Sequence, residues 1–324
     1  MLPETFPGVR FDVEGVCNFC RDFNRDRLAG QKAEYRRRFK QLVKEHTGKS
    51  EYDAILSYSG GKDSTYTLMK LKQDFHLNVL AFTMDNGFMS GRAYENIRIV
   101  TGRLGVDHLL FKPRFDVMRT IFAGCARRNI FPPKTLERAS SICTACMSIV
   151  RFSVLRTAIE KKIPFLVFGW SPGQAPITAS VMKNNVAFLK LMQKNASKPL
   201  HELVGDAVNP YFLRPEHLRP GRWLPYNIHP LVFLDYDEKT IFNAIDQIGW
   251  KPPQDTDAQS TNCLINSFAN DVHKKRYGFH PYVFELAGLV RQGYLKRSTA
   301  QARLEQKENA ELIDSIRASL GLDG

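Results

Sequence analysis

Long hydrophobic runs are missing from this 324-residue chain. The longest, such as Ile163 to Trp170, fall far short of the ~20 residues a membrane helix needs, so no membrane span is expected. The N-terminus (Met1-Leu2-Pro3-Glu4-Thr5) has neither a basic region nor an apolar core of the secretory kind. A cytoplasmic protein is therefore expected. Six cysteines are too few for a disulfide scaffold. Two CxxC pairs among them make metal or redox chemistry the better default. Acidic residues are short relative to basic ones, 33 against 46, which leaves a formal charge of +13. Such a field attracts anions without specifying a fold. Internal repeats and low-complexity tracts are absent.

The hydrophobic fraction of 43% supports a real core, and the length suits about two domains or one large α/β unit with appendages. The first thirty residues read as irregular and lead into Cys17-Asn18-Phe19-Cys20. A basic helical stretch follows over Gln31 to His46. Buried strands are then expected at Asp53–Tyr58, Asn78–Met84, His108–Phe111 and Ile163–Gly169, with helices between them at Ser64–Gln73 and Gly91–Gly102. That alternation predicts a parallel sheet covered on both faces. Beyond Ser180 it fades into a Pro/Gly-rich stretch, Asn209 to Pro230. Helices are expected again at Tyr236–Ile248 and from Asp271 onward, with Ser298–Leu320 a surface helix pair. The divisions expected are residues 1–50, an N-terminal CxxC segment and basic helix; 51–200, a nucleotide-binding α/β domain; and 201–324, a helical substrate region.

The most informative run is Ser59-Gly60-Gly61-Lys62-Asp63-Ser64, between the first strand, Asp53–Tyr58, and its helix. A turn there aims successive backbone N–H groups and a helix N-terminus at one point, which makes an anion site. Ser59 and Ser64 add hydroxyls, Lys62 adds charge, and Asp63 offers a carboxylate to Mg²⁺. A Walker A loop is excluded, because Leu56 and Asp63 stand where it needs Gly and Ser/Thr, and Val43 spoils the match at Gly48-Lys49-Ser50. GxGxxG is absent.

The run resembles the SGGxDS signature of the PP-loop ATP pyrophosphatases. That resemblance implies a doubly wound, mainly parallel sheet of the adenine nucleotide alpha-hydrolase-like type. It also implies ATP cleaved between the α and β phosphates, with an acceptor oxygen adenylated and AMP displaced by nitrogen or sulfur. ATP would contact Ser57 and Ser59 to Ser64, with Lys62, Asp63 and Ser64 catalytic. By the same resemblance, Thr83-Met84-Asp85 would line the adenine and ribose pocket, with Thr83 and Asp85 as ATP contacts, and Gly169 would approach the nucleotide.

Cys143-Thr144-Ala145-Cys146 with the distant Cys263 resembles the tRNA-thiolating members, in which three cysteines hold an iron–sulfur cluster. CxxC spacing is common to zinc and iron–sulfur sites. Three readings stay open: a shared site on Cys143, Cys146 and Cys263 (a 4Fe-4S cluster or Zn²⁺), a zinc site drawing Cys17 and Cys20 together with another pair, and independent thiols. Cys125 reads as a small buried hydrophobe.

A longer set of matches resembles the ExsB-like N-acetyl sugar amidotransferases of surface-polysaccharide (lipopolysaccharide) biosynthesis. It includes Phe6-Pro7-Gly8-Val9, Asp12 to Cys20, Leu104 to His108, Phe168 to Pro172, Lys275 to Phe279 and Val290 to Gly293. This implies a nucleotide- or lipid-linked acetamido sugar as acceptor and a glutaminase–synthase partner supplying ammonia. The family's four-cysteine N-terminal knuckle lacks its first pair here. Sulfur transfer to tRNA or a small molecule is the alternative, and a non-catalytic nucleotide-binding protein the third. Arg214, Arg222 and Lys275 are the candidate substrate cations, since guanidinium forks pair with phosphate. A homodimer is plausible on general grounds.

Overall fold

The computed structural model describes residues 1–256 and 260–322. A short helix α1 (Asn18–Arg21) and the long basic α2 (Arg25–His46) precede a β/α series. That series runs β1 (Ala54–Ser57), α3 (Lys62–Gln73), β2 (Val79–Met84), α4 (Gly91–Leu104), β3 (Asp107–Phe111), α5 (Phe115–Arg127), α6 (Ser141–Glu160) and β4 (Phe165–Phe168). Then come β5 (Val181–Lys183), α7 (Val186–Val204), β6 (Tyr226–Ile228), α8 (Pro230–Phe233) and α9 (Glu238–Gln247). The chain ends in α10 (Ile265–Tyr277), α11 (Val283–Arg291), α12 (Arg297–Glu305) and α13 (Ala310–Ser319).

The expected α/β architecture is present, as one six-stranded sheet of order β3-β2-β1-β4-β6-β5. All neighbours are parallel except β5, which runs antiparallel on the edge. Its inner strands are apolar on both sides, as a doubly covered sheet demands. Alternate residues feed two separate cores. Ile55, Leu80, Phe82, Leu166 and Phe168 join the helices on one face, α6 among them. Ala54, Leu56, Val79, Ala81, Phe165 and Val167 join α2, α3 and α9 on the other.

Strands β6 and β5 are short and lie outside the expected set. β6 sits inside the Pro/Gly-rich stretch and pairs with β4 and β5. Residues beyond 200 therefore complete the sheet that the 51–200 segment begins. Phe39 and Leu42 of α2, and Ala300 of α12, share the second core as well. The expected surface pair is α12 and α13, each anchored by a buried residue, Ala300 and Ile316.

One helix, α6, does have the length and hydropathy to cross a membrane. Here it packs against the sheet and α5, with Ile142, Ile149, Phe152 and Leu155 buried in the first core. It is a core helix, and Thr144, Ser148, Arg151 and Ser153 interrupt its apolar residues so that no long uninterrupted run marks it in the sequence.

The strand order reverses between β1 and β4, because β2 and β3 extend to one side of β1 and β4 lies on the other. The crevice at the carboxyl ends of those strands is where open α/β sheets hold ligands.

Candidate functional site

At the end of β1 the chain turns through Ser59, Gly60 and Gly61 into α3, with Gly61 as its N-cap. Gly60 has φ +73, and a Cβ there would lie 2.8 Å from the Ala93 carbonyl oxygen. At Gly61 a Cβ would lie 2.8 Å from Thr261 Oγ1. Both glycines are thus required by close approach from α4 and from the 260–263 segment. The Trp250 indole N–H donates to the Gly60 carbonyl at 2.8 Å and pins the turn from below. Ser59 and Ser64 hydroxyls pair at 3.1 Å. The Lys62 backbone N–H, one of the free donors at the start of α3, is taken by Thr261 Oγ1 at 3.0 Å.

Beside the turn lies a buried charge network. Lys62 Nζ donates to Asp63 Oδ1 (2.8 Å), the Tyr236 hydroxyl (2.9 Å) and Glu238 Oε1 (3.4 Å). Burial opposes the charge of Lys62, yet the Asp63 and Glu238 carboxylates outweigh it and hold its pKa above the ordinary lysine value. Glu238 is also gripped by both arms of Arg303. Across the cavity Glu285 accepts from the Ser171 hydroxyl at 2.6 Å. Burial pushes its carboxyl up to about 7, and the Asp63 charge adds to that. Two carboxyls, Asp63 and Glu285, therefore line one space next to the Ser59–Ser64 turn, and carboxylate oxygens are donors that suit a hard divalent cation.

That space is a cavity of about 330 Å³ whose walls also carry Cys143, Cys146 and Cys263. α6 places the first two. Ser140 caps it by accepting from the Cys143 N–H (3.1 Å), and Cys143, Cys146, Met147, Val150 and Arg151 then form one helical stripe along the cavity. Cys263 arrives from the 260–263 segment, tied to Met89 by an isolated bridge. The Asn86 amide donates to both Cys146 Sγ (3.4 Å) and Cys263 Sγ (3.6 Å), and the Asn266 amide to Cys143 Sγ (3.9 Å). Burial raises all three thiols, Cys263 to about 11. Among the described residues no trio of His, Cys, Asp or Glu converges tightly enough to chelate a single ion.

The three distant cysteines are thus brought to the nucleotide-type turn. Ser57, Ser59, Gly61 to Ser64 and Gly169 line the same cavity, and Gly60 lies just behind it. A Cβ at Gly169 would lie 2.6 Å from the Ser64 Cα, so β4 touches the start of α3 there. Thr83 and Asp85 are not on the wall. Met84, the middle residue of the expected run, does line it, and Asn86 joins it there. Thr83 instead donates to the Tyr58 carbonyl (2.7 Å). Asp85 accepts from the Gly87 N–H (2.8 Å) and pairs with Lys112 (2.9 Å). The Cys17 and Cys20 sulfurs lie 3.5 Å apart, Cys17 buried in a separate N-terminal cluster with Phe6, Phe279 and Val283 and Cys20 exposed, with no third metal ligand among the described residues. Arg214, Arg222 and Lys275 are exposed and line neither this cavity nor the one beside it; Lys275 pairs with Asp271 on its own helix at 2.8 Å. Cys125 is buried in the first core, as expected.

Glu285, Tyr236, Arg151, Asn86 and Thr261 escaped the sequence reading. Glu285 and Arg151 did leave a signal, as single charges inside otherwise apolar helical runs (Val283-Phe-Glu-Leu-Ala-Gly-Leu-Val290 and Ser148-Ile-Val-Arg-Phe-Ser-Val-Leu155).

No protein-family model matches the chain. It is 24% identical over 276 residues to an uncharacterized protein of Methanocaldococcus jannaschii, spanning 85% of this chain and 80% of that one. Among solved structures, it is similar to the U34-tRNA thiolase NcsA from Methanococcus maripaludis with its 4Fe-4S cluster, at TM-score 0.37 and 16% identity over 80% of each chain. The NMN synthetase from Francisella tularensis gives 0.39 and 11%, over 92% of this chain and 97% of that one. Overlaps this slight assign no activity.

Proposed function

We propose that the chain is an ATP-dependent transferase of the PP-loop kind. In the first step an acceptor oxygen attacks the α-phosphorus, the bond to the β-phosphate oxygen breaks, and pyrophosphate leaves. In the second, a nucleophile attacks the activated carbon and AMP departs with the acceptor oxygen. The observation that supports this reading is the Ser59–Ser64 turn at the sheet's switch point, sharing one cavity with Lys62, Asp63 and Glu285. Backbone donors of the turn and the Lys62 ammonium would take the charge that develops on the leaving pyrophosphate. Asp63 and Glu285 would hold Mg²⁺, which supplies further neutralisation there.

Nitrogen as the nucleophile follows from the sequence resemblance. An acetamido sugar would be the acceptor and a glutaminase–synthase partner the ammonia source, in the cytoplasm. A second reading, sulfur transfer, is favoured by Cys143, Cys146 and Cys263 facing the same cavity as the turn. The donor set is soft and buried, with two amides aimed at the sulfurs, which suits an iron–sulfur cluster. The sulfurs surround a cavity without converging. Cys143, Cys146 and Cys263 would hold such a cluster. When bound, such a cluster supplies an open iron able to carry sulfur.

The ATP reading is tested by pyrophosphate release, which Asp63→Ala should abolish; unchanged release sinks it. The two nucleophiles are separated by anaerobic purification. Iron and sulfide that disappear in Cys146→Ser favour sulfur, whereas a colourless protein releasing pyrophosphate only with an acetamido sugar favours nitrogen.

A further inference from the structure

Adjoining the first cavity is a second, of about 700 Å³, walled by α6, α7 and the 130–139 segment. Three residues line both, Met147, Arg151 and Trp170, so the two spaces meet at one junction. The guanidinium of Arg151 stands there over the faces of Trp170 (5.0 Å) and Phe168 (5.6 Å). No carboxylate pairs with it among the described residues, and burial depresses its pKa to about 10, which leaves it cationic at neutral pH. The one ionisable ring beside it, His229, is stacked flat on Trp170 at 4.6 Å and is held neutral by burial. Arg151 is half-buried, its guanidinium open only to the cavities, and a cation in such a place ordinarily has a partner. Here the space for a partner is the cavity itself.

The rest of the second cavity has the same sign. Arg138, Lys194 and Lys198 are on its wall against a single acid, Glu202. Neutral hydrogen-bonding groups complete it. Thr144 and Ser148 project from α6, and Pro199 inside α7 leaves the Asn195 carbonyl without its usual helical donor.

We infer that the second cavity is the acceptor site, and that it takes a small phosphate ester with a hydroxyl-rich body, its phosphate paired with Arg151 at the junction. This rests on the ATP-dependent transfer proposed above, since it places the acceptor against the nucleotide turn. A cavity of this volume suits a drug-sized molecule. The exposed basic face of a nucleic-acid binder is not what lines it.

Calorimetry on the full-length protein, with ATP titrated separately, tests the assignment. N-acetylglucosamine 1-phosphate is expected to bind, and unphosphorylated N-acetylglucosamine to bind at least about tenfold more weakly. Arg151→Met should weaken the phosphate ester about tenfold to a hundredfold. Should that variant fold poorly, the exposed pair Lys194→Glu/Lys198→Glu provides a second reading. It should weaken the ester while leaving ATP binding intact. Equal binding of the ester by these variants and the wild type overturns the site. So does ester binding no tighter than that of inorganic phosphate, or displacement of the ester by a short RNA alone. If ATP fails to bind but the ester binds through Arg151, the site stands and the ATP reading falls.

Discussion

At the scale of single residues, one contact-limited glycine and one acid carry the sharpest expectations. A Cβ at Gly169 meets the backbone of Ser64, with 2.6 Å to Cα and 2.8 Å to N, and backbone cannot swing aside. Gly169→Ala should therefore shift the start of α3, cost about 1–3 kcal/mol in stability, and remove pyrophosphate release. Urea titration beside the activity assay checks it, and full activity in Gly169→Ala would show that the contact yields. Glu285 makes a pH prediction. Its folded pKa is raised to about 7 from the ordinary 4.5, so between those values the folded state holds a proton that the unfolded state has lost. Stability then falls as pH rises through that window, by up to about 3 kcal/mol for this group. Glu285→Gln should flatten the decline, read as the difference in Tm between pH 5 and pH 8. A wild-type slope retained in the variant would assign the titration elsewhere.

At the scale of elements, the 260–263 segment joins the two halves of the site. Thr261 occupies the Lys62 N–H at the start of α3, and two residues later Cys263 shares the Asn86 amide with Cys146. A phosphate seated on that N–H must displace the Thr261 hydroxyl. Thr261→Val should lower the stability of the free protein by about 1 kcal/mol and enlarge the rise in Tm that ATP produces. An unchanged ATP-induced rise would mean the phosphate binds without using this amide. The parts legible in the sequence were those whose signal is contiguous. Strands β1, β2 and β4 are apolar runs, and the Ser59–Ser64 turn is six consecutive residues between a strand and a helix. β5 and β6 have three residues each, too short for any period to show, and β6 sits among prolines that point to a loop. Of the run expected on the cavity wall after β2, Met84 is there and Thr83 and Asp85 are not, since a one-residue step along a strand reverses the face. Tyr236, Trp250, Thr261 and Glu285 reach the turn from more than 170 residues away, and only the tertiary fold assembles them.

At the scale of the whole molecule, the charge of +13 is not focused on the nucleotide turn. There Lys62 is neutralised by Asp63 and Glu238, whereas α2 carries Arg27, Arg36, Arg37, Arg38 and Lys40 on surfaces that touch neither cavity. The field of the chain therefore draws anions toward the protein in general, and on the acceptor-site proposal Arg151, which has no carboxylate partner among the described residues, would be the cation that selects among them. The same non-locality governs folding. Among the described residues β6 is the only strand bonded to β5, and it is also the outer neighbour of β4. Without residues beyond 200, β4 becomes a bare edge, β5 has no partner, and Trp250 no longer holds the Gly60 carbonyl. Both cores lose walls as well, Ile265, Phe268 and Ile316 from one and Leu231, Ile241 and Leu286 from the other. Burying apolar side chains of that kind contributes roughly 1.5–3 kcal/mol each, against a net stability of about 5–15 kcal/mol for a whole domain. A fragment of residues 1–200 is therefore expected to show no cooperative urea transition and weak near-ultraviolet dichroism, while the intact chain unfolds as a unit. A sharp transition in the fragment, with ATP raising its midpoint, would show that the nucleotide-binding half is self-sufficient and that residues 201–324 are an addition to it.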